Sequence, residues 1–135
     1  MTESPHPFER LDFIYMPSRD VAADVEHFTN MLGAELVFAI EAFEARVAMV
    51  RLSAGPPNLL LADHLTGDRP ILVYRVADLD DAIKALESRG WIPAPRFGIP
   101  HGPCCAFETT GGHRIAIYEL TRPEVAERLA GRRDF

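Results

Sequence analysis

Hydrophobic and polar positions along the chain fall into two blocks of similar order. In the first block, LDFIYMP alternates in the manner of a strand, and apolar residues recur at helical spacing through SRDVAADVEHFTNMLG. Three short stretches typical of strands follow: AELVFAI, ARVAMVRL and NLLLAD. The pattern therefore predicts a strand, a helix and three further strands.

The second half of the chain predicts the same elements in the same order. The strand ILVYRV leads to Asp78, a helix-capping residue, and the helix that follows ends at Gly90. Three strands are then predicted, in WIPAPRF, CCAFE and RIAIYEL, and the prolines of the first are typical of an edge strand. Phe13 and Ile71 are 58 positions apart, and Gly33 and Gly90 are 57 apart. This near-constant spacing indicates an internal duplication.

We predict an α+β fold, with one domain over residues 1-135. Residues 9-63 form the first βαβββ module, residues 69-120 the second, and residues 121-135 a C-terminal helix and tail. Each module buries one face of its strands beneath its helix. The opposite faces are then expected to curve around a shared cleft.

Composition and charge narrow the possible partners. The chain has 47% hydrophobic residues, enough for a sizeable core, and a formal net charge of −6. That charge disfavours nucleic acid and anionic membranes, and makes a neutral or cationic ligand the easier one to accommodate. No apolar run is long enough for a membrane span, and the first ten residues do not resemble a signal peptide. The two adjacent cysteines, Cys104 and Cys105, are expected to be free thiols, as in a reducing cytoplasm.

Four stretches together resemble the vicinal oxygen chelate superfamily. They are LDFIYMPSRD running into FTNMLGAELV, then ILVYRVADLDDAIKALESRG, the hairpin FETTGGHRIAIYE, and the duplicated order of elements. The superfamily includes glyoxalase I, extradiol dioxygenases, fosfomycin resistance enzymes and bleomycin resistance proteins. The resemblance covers about residues 9 to 120 and implies paired βαβββ modules around a cleft, often in a dimer.

The resemblance also implies where a metal site would lie. Metal-using members place one ligand on the first strand and one on the last strand of each module. The matching positions in this chain are Phe13, Leu60, Ile71 and Ala116, and none of these side chains can coordinate a metal. We therefore predict that the protein uses neither a metal nor another cofactor.

Strand alternation predicts which side chains line the cleft. Asp12 is expected to face away from it. The predicted ligand-binding residues are Phe13, Tyr15, Met49, Arg51, Leu60, Ile71, Arg75, Trp91, Phe97, Ala116 and Tyr118. Trp91 and Phe97 are expected either to stack on a planar ligand or to pack on the edge of the sheet. Arg75, Glu108 and His101 are the candidates for catalysis. The alternative is that these side chains only fill space, or pack against a dimer partner.

Three functions are compatible with the sequence. The first, which we favour, is metal-independent binding of a small hydrophobic or aromatic molecule by sequestration, as in bleomycin resistance proteins. The second is an enzyme of the same superfamily, of lyase, dioxygenase or isomerase type, using Arg, Glu and His groups or a displaced metal site. The third is a dimeric structural or regulatory module. A homodimer is expected, with no nucleic acid or membrane partner.

Overall fold

The structure is a computed structural model that describes residues 6–42, 44–65, 67–92 and 94–135. The first half contains β1 (Arg10–Pro17), α1 (Val21–Asn30), β2 (Glu35–Ala42), β3 (Ala45–Arg51) and β4 (Asn58–Ala62). The second half contains β5 (Ile71–Val76), α2 (Leu79–Glu87), β6 (Arg96–Ile99), β7 (Gly102–Glu108), β8 (Arg114–Glu119) and α3 (Glu124–Leu129). Among the described residues, no helix is long and apolar enough to cross a membrane.

The two longer helices begin and end at the residues that the sequence indicates. The side chain of Asp20 accepts a hydrogen bond from the amide of Ala23 at the start of α1. Asp78 caps α2 in the same way. Gly33 and Gly90 follow the two helices with φ angles of 73° and 90°, a conformation that glycine adopts without strain.

The eight strands in the described residues form one sheet in the order β2-β3-β4-β1-β5-β8-β7-β6. β1 is parallel to β4, β5 is parallel to β8, and the antiparallel pairing of β1 with β5 joins the two halves. Phe13 pairs with Asn58 in the first half, and Ile71 pairs with Arg114 at the equivalent place in the second. The predicted α+β fold of two βαβββ modules is confirmed.

The hydrophobic core lies on both faces of the sheet. One cluster packs beneath α1 around Val25 and Leu61, and another packs beneath α2 around Ile83 and Ile117. A third cluster occupies the face away from these helices and includes Phe13 and Tyr118. This third face is the one that the two modules turn toward the shared cleft.

The C-terminal segment passes from the second module back to the first. After β8, Leu129 of α3 packs against the cluster on the cleft face. The segment then runs along β2, where Arg133 forms a bridge with Ala39 and the amide of Ala39 donates to Arg132 at 2.9 Å. Phe135 packs against the cluster beneath α1. The segment thus crosses the cleft and closes one side of it.

Candidate ligand-binding and catalytic site

The cleft contains two adjoining cavities. The smaller has a volume of about 320 Å³, and its lining includes Arg10, Asp12, Arg51, Asn58, Arg75 and Tyr118. The larger has a volume of about 480 Å³, and its lining includes Tyr15, Leu60, Ile71, Phe97, Cys104 and Ala116. We call them the polar compartment and the apolar compartment. Phe38, His101 and Leu129 line both, so these three side chains mark the junction.

Asp12 lies on the cleft side of β1, so the expectation that it faces away from the cleft is wrong. The pairing of β1 with β5 shifts by one residue between Leu11 and Phe13, which marks a β-bulge at Asp12. The bulge lets both Asp12 and Phe13 line the polar compartment, although they are neighbours in sequence. A second shift, in β2, lets Val37 and Phe38 line it in the same way.

The buried carboxylate of Asp12 is compensated by three neighbours. Tyr118 donates its hydroxyl hydrogen to Oδ2 of Asp12, Arg10 donates from Nε to Oδ1 at 2.5 Å, and Nε of Arg75 lies 3.8 Å from Oδ2. Burial, reinforced by this hydrogen bond, raises the pKa of Tyr118, so its phenol stays protonated at neutral pH. Asp12 and Tyr118 therefore form a fixed pair in the wall of the polar compartment.

Arg75 has a buried donor group that lies 3.8 Å from Asp12 but makes no hydrogen bond to the described residues. Its Nε is buried and makes no hydrogen bond, and no hydrogen bond joins its guanidinium to any residue in the described ranges. An unpaired buried donor costs about 1–3 kcal/mol. That cost is removed when a bound molecule supplies an acceptor oxygen.

His101 lies at the junction of the two compartments and is 9% exposed. Its ring packs on those of Phe13 and Tyr118, with centroid distances of 5.0 Å and 6.2 Å. Its carbonyl oxygen accepts hydrogen bonds from the amides of Thr121 and Arg122, which fixes the backbone. Within the part of the chain that the structure describes, no group is hydrogen-bonded to its imidazole. The ring is thus held in place while its nitrogens are left to a ligand.

Gly102 allows the His101 segment to approach β8 closely. Its φ angle is 154°, and a Cβ atom at this position would lie 2.0 Å from the carbonyl oxygen of Glu119. Only a residue without a side chain fits there. The position of His101 therefore depends on the glycine that follows it.

The protonation state of His101 follows from its surroundings. Burial lowers its pKa, Asp12 acts in the opposite direction, and Arg122 lowers the pKa further. The net shift is downward from 6.5. The imidazole is consequently neutral at pH 7, and a neutral imidazole can accept a proton.

Among the described residues that line the apolar compartment there is no arginine, lysine, aspartate or glutamate. Burial raises the pKa of Tyr15 to about 12 and the pKa of Cys104 to about 12, so both are uncharged at neutral pH. Phe97 borders this compartment and is 47% exposed. The compartment suits the apolar part of a ligand.

Most of the predicted ligand-binding residues line one compartment or the other. Those in the polar compartment are Phe13, Met49, Arg51, Arg75 and Tyr118, and those in the apolar compartment are Tyr15, Leu60, Ile71, Phe97 and Ala116. Sequence reasoning missed Asp12, Asn58 and Phe38. The bulge hides Asp12 from an alternation pattern, whereas Asn58 pairs directly with Phe13 and is deducible once the register is known.

Trp91 and Glu108 lie outside the cleft. Trp91 packs edge-on against Phe107 at a centroid distance of 5.3 Å, in the cluster beneath α2, so its predicted place in the ligand-binding set is wrong. Glu108 lies at the far end of β7, about 20 Å from Gly102 by the rise of a strand. There it pairs with Arg114 and lines a separate surface pocket. It is not brought together with Arg75 and His101.

The positions that bind metal in the resembling superfamily do not fit a metal here. Phe13, Leu60 and Ala116 are buried together in the cleft-face cluster, and Ile71 packs against them. None of these side chains has an atom that can coordinate a divalent ion. No group of three or more His, Cys, Asp or Glu side chains in the described residues is arranged to hold one either. No chemistry at this site is therefore assigned to a metal.

Comparison with known proteins finds a match in structure only. The sequence matches no family model and no curated protein. The structure is similar to the crystal structure of methylmalonyl-CoA epimerase from Mycobacterium tuberculosis, with a TM-score of 0.71 and 20% sequence identity, over 93% of this chain and 97% of that chain. It is also similar to a variant of Streptomyces coelicolor methylmalonyl-CoA epimerase in complex with 2-nitronate-propionyl-CoA. There the TM-score is 0.67 and the identity 18%, over 85% of this chain and 99% of that chain.

At these identities, the likeness concerns the fold. Methylmalonyl-CoA epimerase is a member of the vicinal oxygen chelate superfamily. The match extends over nearly the whole length of both chains, so it concerns the fold as a whole. The chain has the glyoxalase and bleomycin resistance fold of that superfamily, as the resemblance in the sequence implies.

Proposed function

We propose that this protein is a metal-independent enzyme that catalyses proton transfer at a carbon next to a carbonyl group. The observation that carries the proposal is the neutral, buried imidazole of His101 at the junction of the compartments, without a hydrogen-bond partner among the described residues. Arg75, on the wall of the polar compartment, supplies unused donors. A base and an oxyanion stabiliser are the two groups that such a reaction requires.

In this mechanism, His101 removes a proton from the carbon adjacent to the carbonyl. The carbon–hydrogen bond breaks, its electron pair forms an enolate, and the imidazole becomes an imidazolium. Arg75 donates hydrogen bonds to the enolate oxygen. Return of a proton from the imidazolium to the carbon regenerates the neutral imidazole, with no change of oxidation state; inversion of the carbon requires that the proton be delivered to the opposite face of the enolate.

The structural comparisons support the choice of reaction. The similar structures named above are epimerases, and an epimerase inverts a single stereocentre. Their fold thus accommodates chemistry at one carbon of a small acyl compound. The identity of 20% or less leaves the residues that perform the chemistry to be assigned from this chain itself.

Exchange of carbon-bound hydrogen with solvent tests the proposal. A panel of acyl thioesters and 2-oxo acids is incubated with the chelator-treated protein in D₂O, and loss of the proton signal is followed by NMR. His101→Gln is expected to slow exchange by about 10²- to 10⁴-fold. The control is His27→Gln, because His27 is exposed on α1. Exchange that His101→Gln leaves unchanged, or that requires an added divalent metal, contradicts the proposal.

The second candidate is sequestration of a hydrophobic molecule without turnover. It is favoured by the apolar compartment, which has a volume of about 480 Å³ and whose described lining residues include no Arg, Lys, Asp or Glu. Tight binding of a hydrophobic compound, with no hydrogen exchange in any member of the panel, supports this candidate over the enzyme.

The assembly and location of the protein remain predictions. We propose a homodimer, which light scattering of the purified protein tests. We propose the cytoplasm as its location, because Cys104 and Cys105 are free and are buried in clusters on opposite faces of the sheet.

A further inference from the structure

We infer that the ligand of the cleft is an amphiphilic anion. Its carboxylate head, next to the reacting carbonyl as in a 2-oxo acid, would lie against Arg75 in the polar compartment, where the guanidinium can hold a carboxylate oxygen and the enolate oxygen together. Its chain or ring would fill the apolar compartment. The inference rests on the proposed function to the extent that the cleft is the substrate site. The inference adds the chemical class of the substrate and the orientation in which the substrate binds.

The first support is the local charge of the polar compartment. Within the described part of the chain, its lining contains three arginines, Arg10, Arg51 and Arg75, and one carboxylate, Asp12, while Glu35 pairs with Arg51 from outside the lining. This sign is opposite to that of the whole chain, whose formal net charge is −6. Charges at a few ångströms outweigh the average over the molecule because salt screens the more distant ones. The expectation of a neutral or cationic ligand, drawn from net charge, therefore does not hold locally.

The second support is that the guanidinium groups of Arg75 and Arg51 have only weak hydrogen-bond acceptors, or none, among the described residues. Asp12 is engaged by Tyr118 and by Arg10, and it lies 3.8 Å from Nε of Arg75. The nearest polar contacts of Arg51 are long: 3.5 Å to Oδ1 of Asn58 and 3.4 Å to Oε2 of Glu35. A carboxylate has two oxygens that accept parallel hydrogen bonds from one guanidinium. Arg75 is thus the principal partner of the head group, with Arg51 at the rim.

The third support is that the polar and apolar compartments meet. His101, Phe38 and Leu129 line both, so one ligand can extend from one into the other. A short anion would leave the apolar compartment to water, and an uncharged hydrocarbon would leave Arg75 without an acceptor. A ligand with both parts satisfies both compartments, and the atoms that join its head to its tail lie beside His101.

A matched set of compounds tests the head group. Isothermal titration calorimetry compares 4-phenylbutyrate with 4-phenylbutyramide and 4-phenylbutylamine, which share a skeleton and differ in charge. The carboxylate is expected to bind about ten- to a hundredfold more tightly than the amide. Arg75→Gln is expected to remove that preference, and Arg89→Gln, at an exposed position just after α2, to keep it. Equal binding of the three compounds, or an equal loss for all three in Arg75→Gln, overturns the assignment.

A series of linear carboxylates tests the tail without any variant. The affinity of the unaltered protein is expected to rise from acetate to decanoate as the apolar compartment fills. A constant affinity along the series overturns the inference. These results are separable from the proposed reaction: carboxylate binding without hydrogen exchange refutes the enzyme alone. Exchange that depends on His101, with no preference for anions, refutes the amphiphile alone.

Discussion

Replacing Tyr118 by phenylalanine removes a single hydrogen bond from the wall of the polar compartment. Tyr118 is 1% exposed and Asp12 is 5% exposed, so water cannot readily take the place of the lost hydroxyl group. Arg10 continues to donate to the other carboxylate oxygen. The substitution therefore leaves a buried anion with one fewer donor and changes little in volume.

The magnitude follows from the charge on the acceptor. A hydrogen bond to a charged group contributes about 1.5–3 kcal/mol, and the loss is felt fully where water is excluded. We expect Tyr118→Phe to lower the free energy of unfolding by this amount in urea denaturation followed by circular dichroism. Tyr74→Phe is the control, because Tyr74 packs on the opposite face, against Phe8, and makes no hydrogen bond through its hydroxyl to a described residue. It is expected to change stability by less than about 0.5 kcal/mol.

A double-mutant cycle identifies the partner of the hydroxyl group. Asp12→Asn converts the charged acceptor to a neutral one, and Tyr118→Phe in that background is expected to cost about 1 kcal/mol less than in the unaltered protein. The reasoning is refuted if Tyr118→Phe behaves like Tyr74→Phe. It is refuted equally if the effects of Asp12→Asn and Tyr118→Phe are additive, because the two groups would then not be in contact in solution.

Three further predictions concern the centre of the cleft. The lowered pKa of His101 means that the unfolded chain binds more protons than the folded one near pH 6.5. The free energy of unfolding is therefore highest above that pH and decreases as the pH drops below it. His101→Gln is expected to flatten this part of a plot of the urea midpoint against pH. Burial raises the pKa of Cys104 to about 12. Native protein at pH 8 should therefore react with a thiol reagent far more slowly than protein unfolded in guanidinium. Equal rates would contradict the burial of Cys104. Gly102→Ala should cost about 3 kcal/mol in urea denaturation, through the clash with Glu119, whereas Gly55→Ala, with nothing within 4 Å, should be nearly neutral.

The sequence was sufficient to predict the fold because most elements follow a simple periodicity; the proline-marked strand predicted in WIPAPRF does not, and it is found at Arg96–Ile99. Asp20 and Asp78 cap helices at equivalent places, and Phe13 and Ile71 occupy equivalent places in their strands. Alternation also predicts the cleft face of side chains such as Tyr15, Arg75 and Tyr118, which line the two compartments. These rules depend on local sequence, and each of them holds in both halves of the duplicated chain.

The candidate site depends on features that do not repeat. The bulge at Asp12 inserts one residue into β1, and alternation fails at that residue. Glu108 lies on the cleft face of β7 but too far along the strand to meet His101. Alternation predicts the face on which a side chain lies, and not its position along the strand. Trp91 has no pattern to place it, because it lies in the connection between a helix and an edge strand. The charged side chains of the polar compartment likewise lie on strands that are far apart in sequence, and only the folded sheet brings them together.

The path of the C-terminal segment has a consequence for self-association. The outer edge of β2 would otherwise present unpaired amides and carbonyls, the kind of edge along which sheets from separate molecules join. Residues 131 to 134 occupy it: the amide of Gly131 donates to Val37, and the amide of Asp134 donates to Ala39. The opposite edge, β6, is only four residues long and is flanked by Pro95 and Pro100. Both edges of the sheet are thereby protected from strand pairing with other molecules, and the segment that helps to enclose the cleft also covers one of these edges.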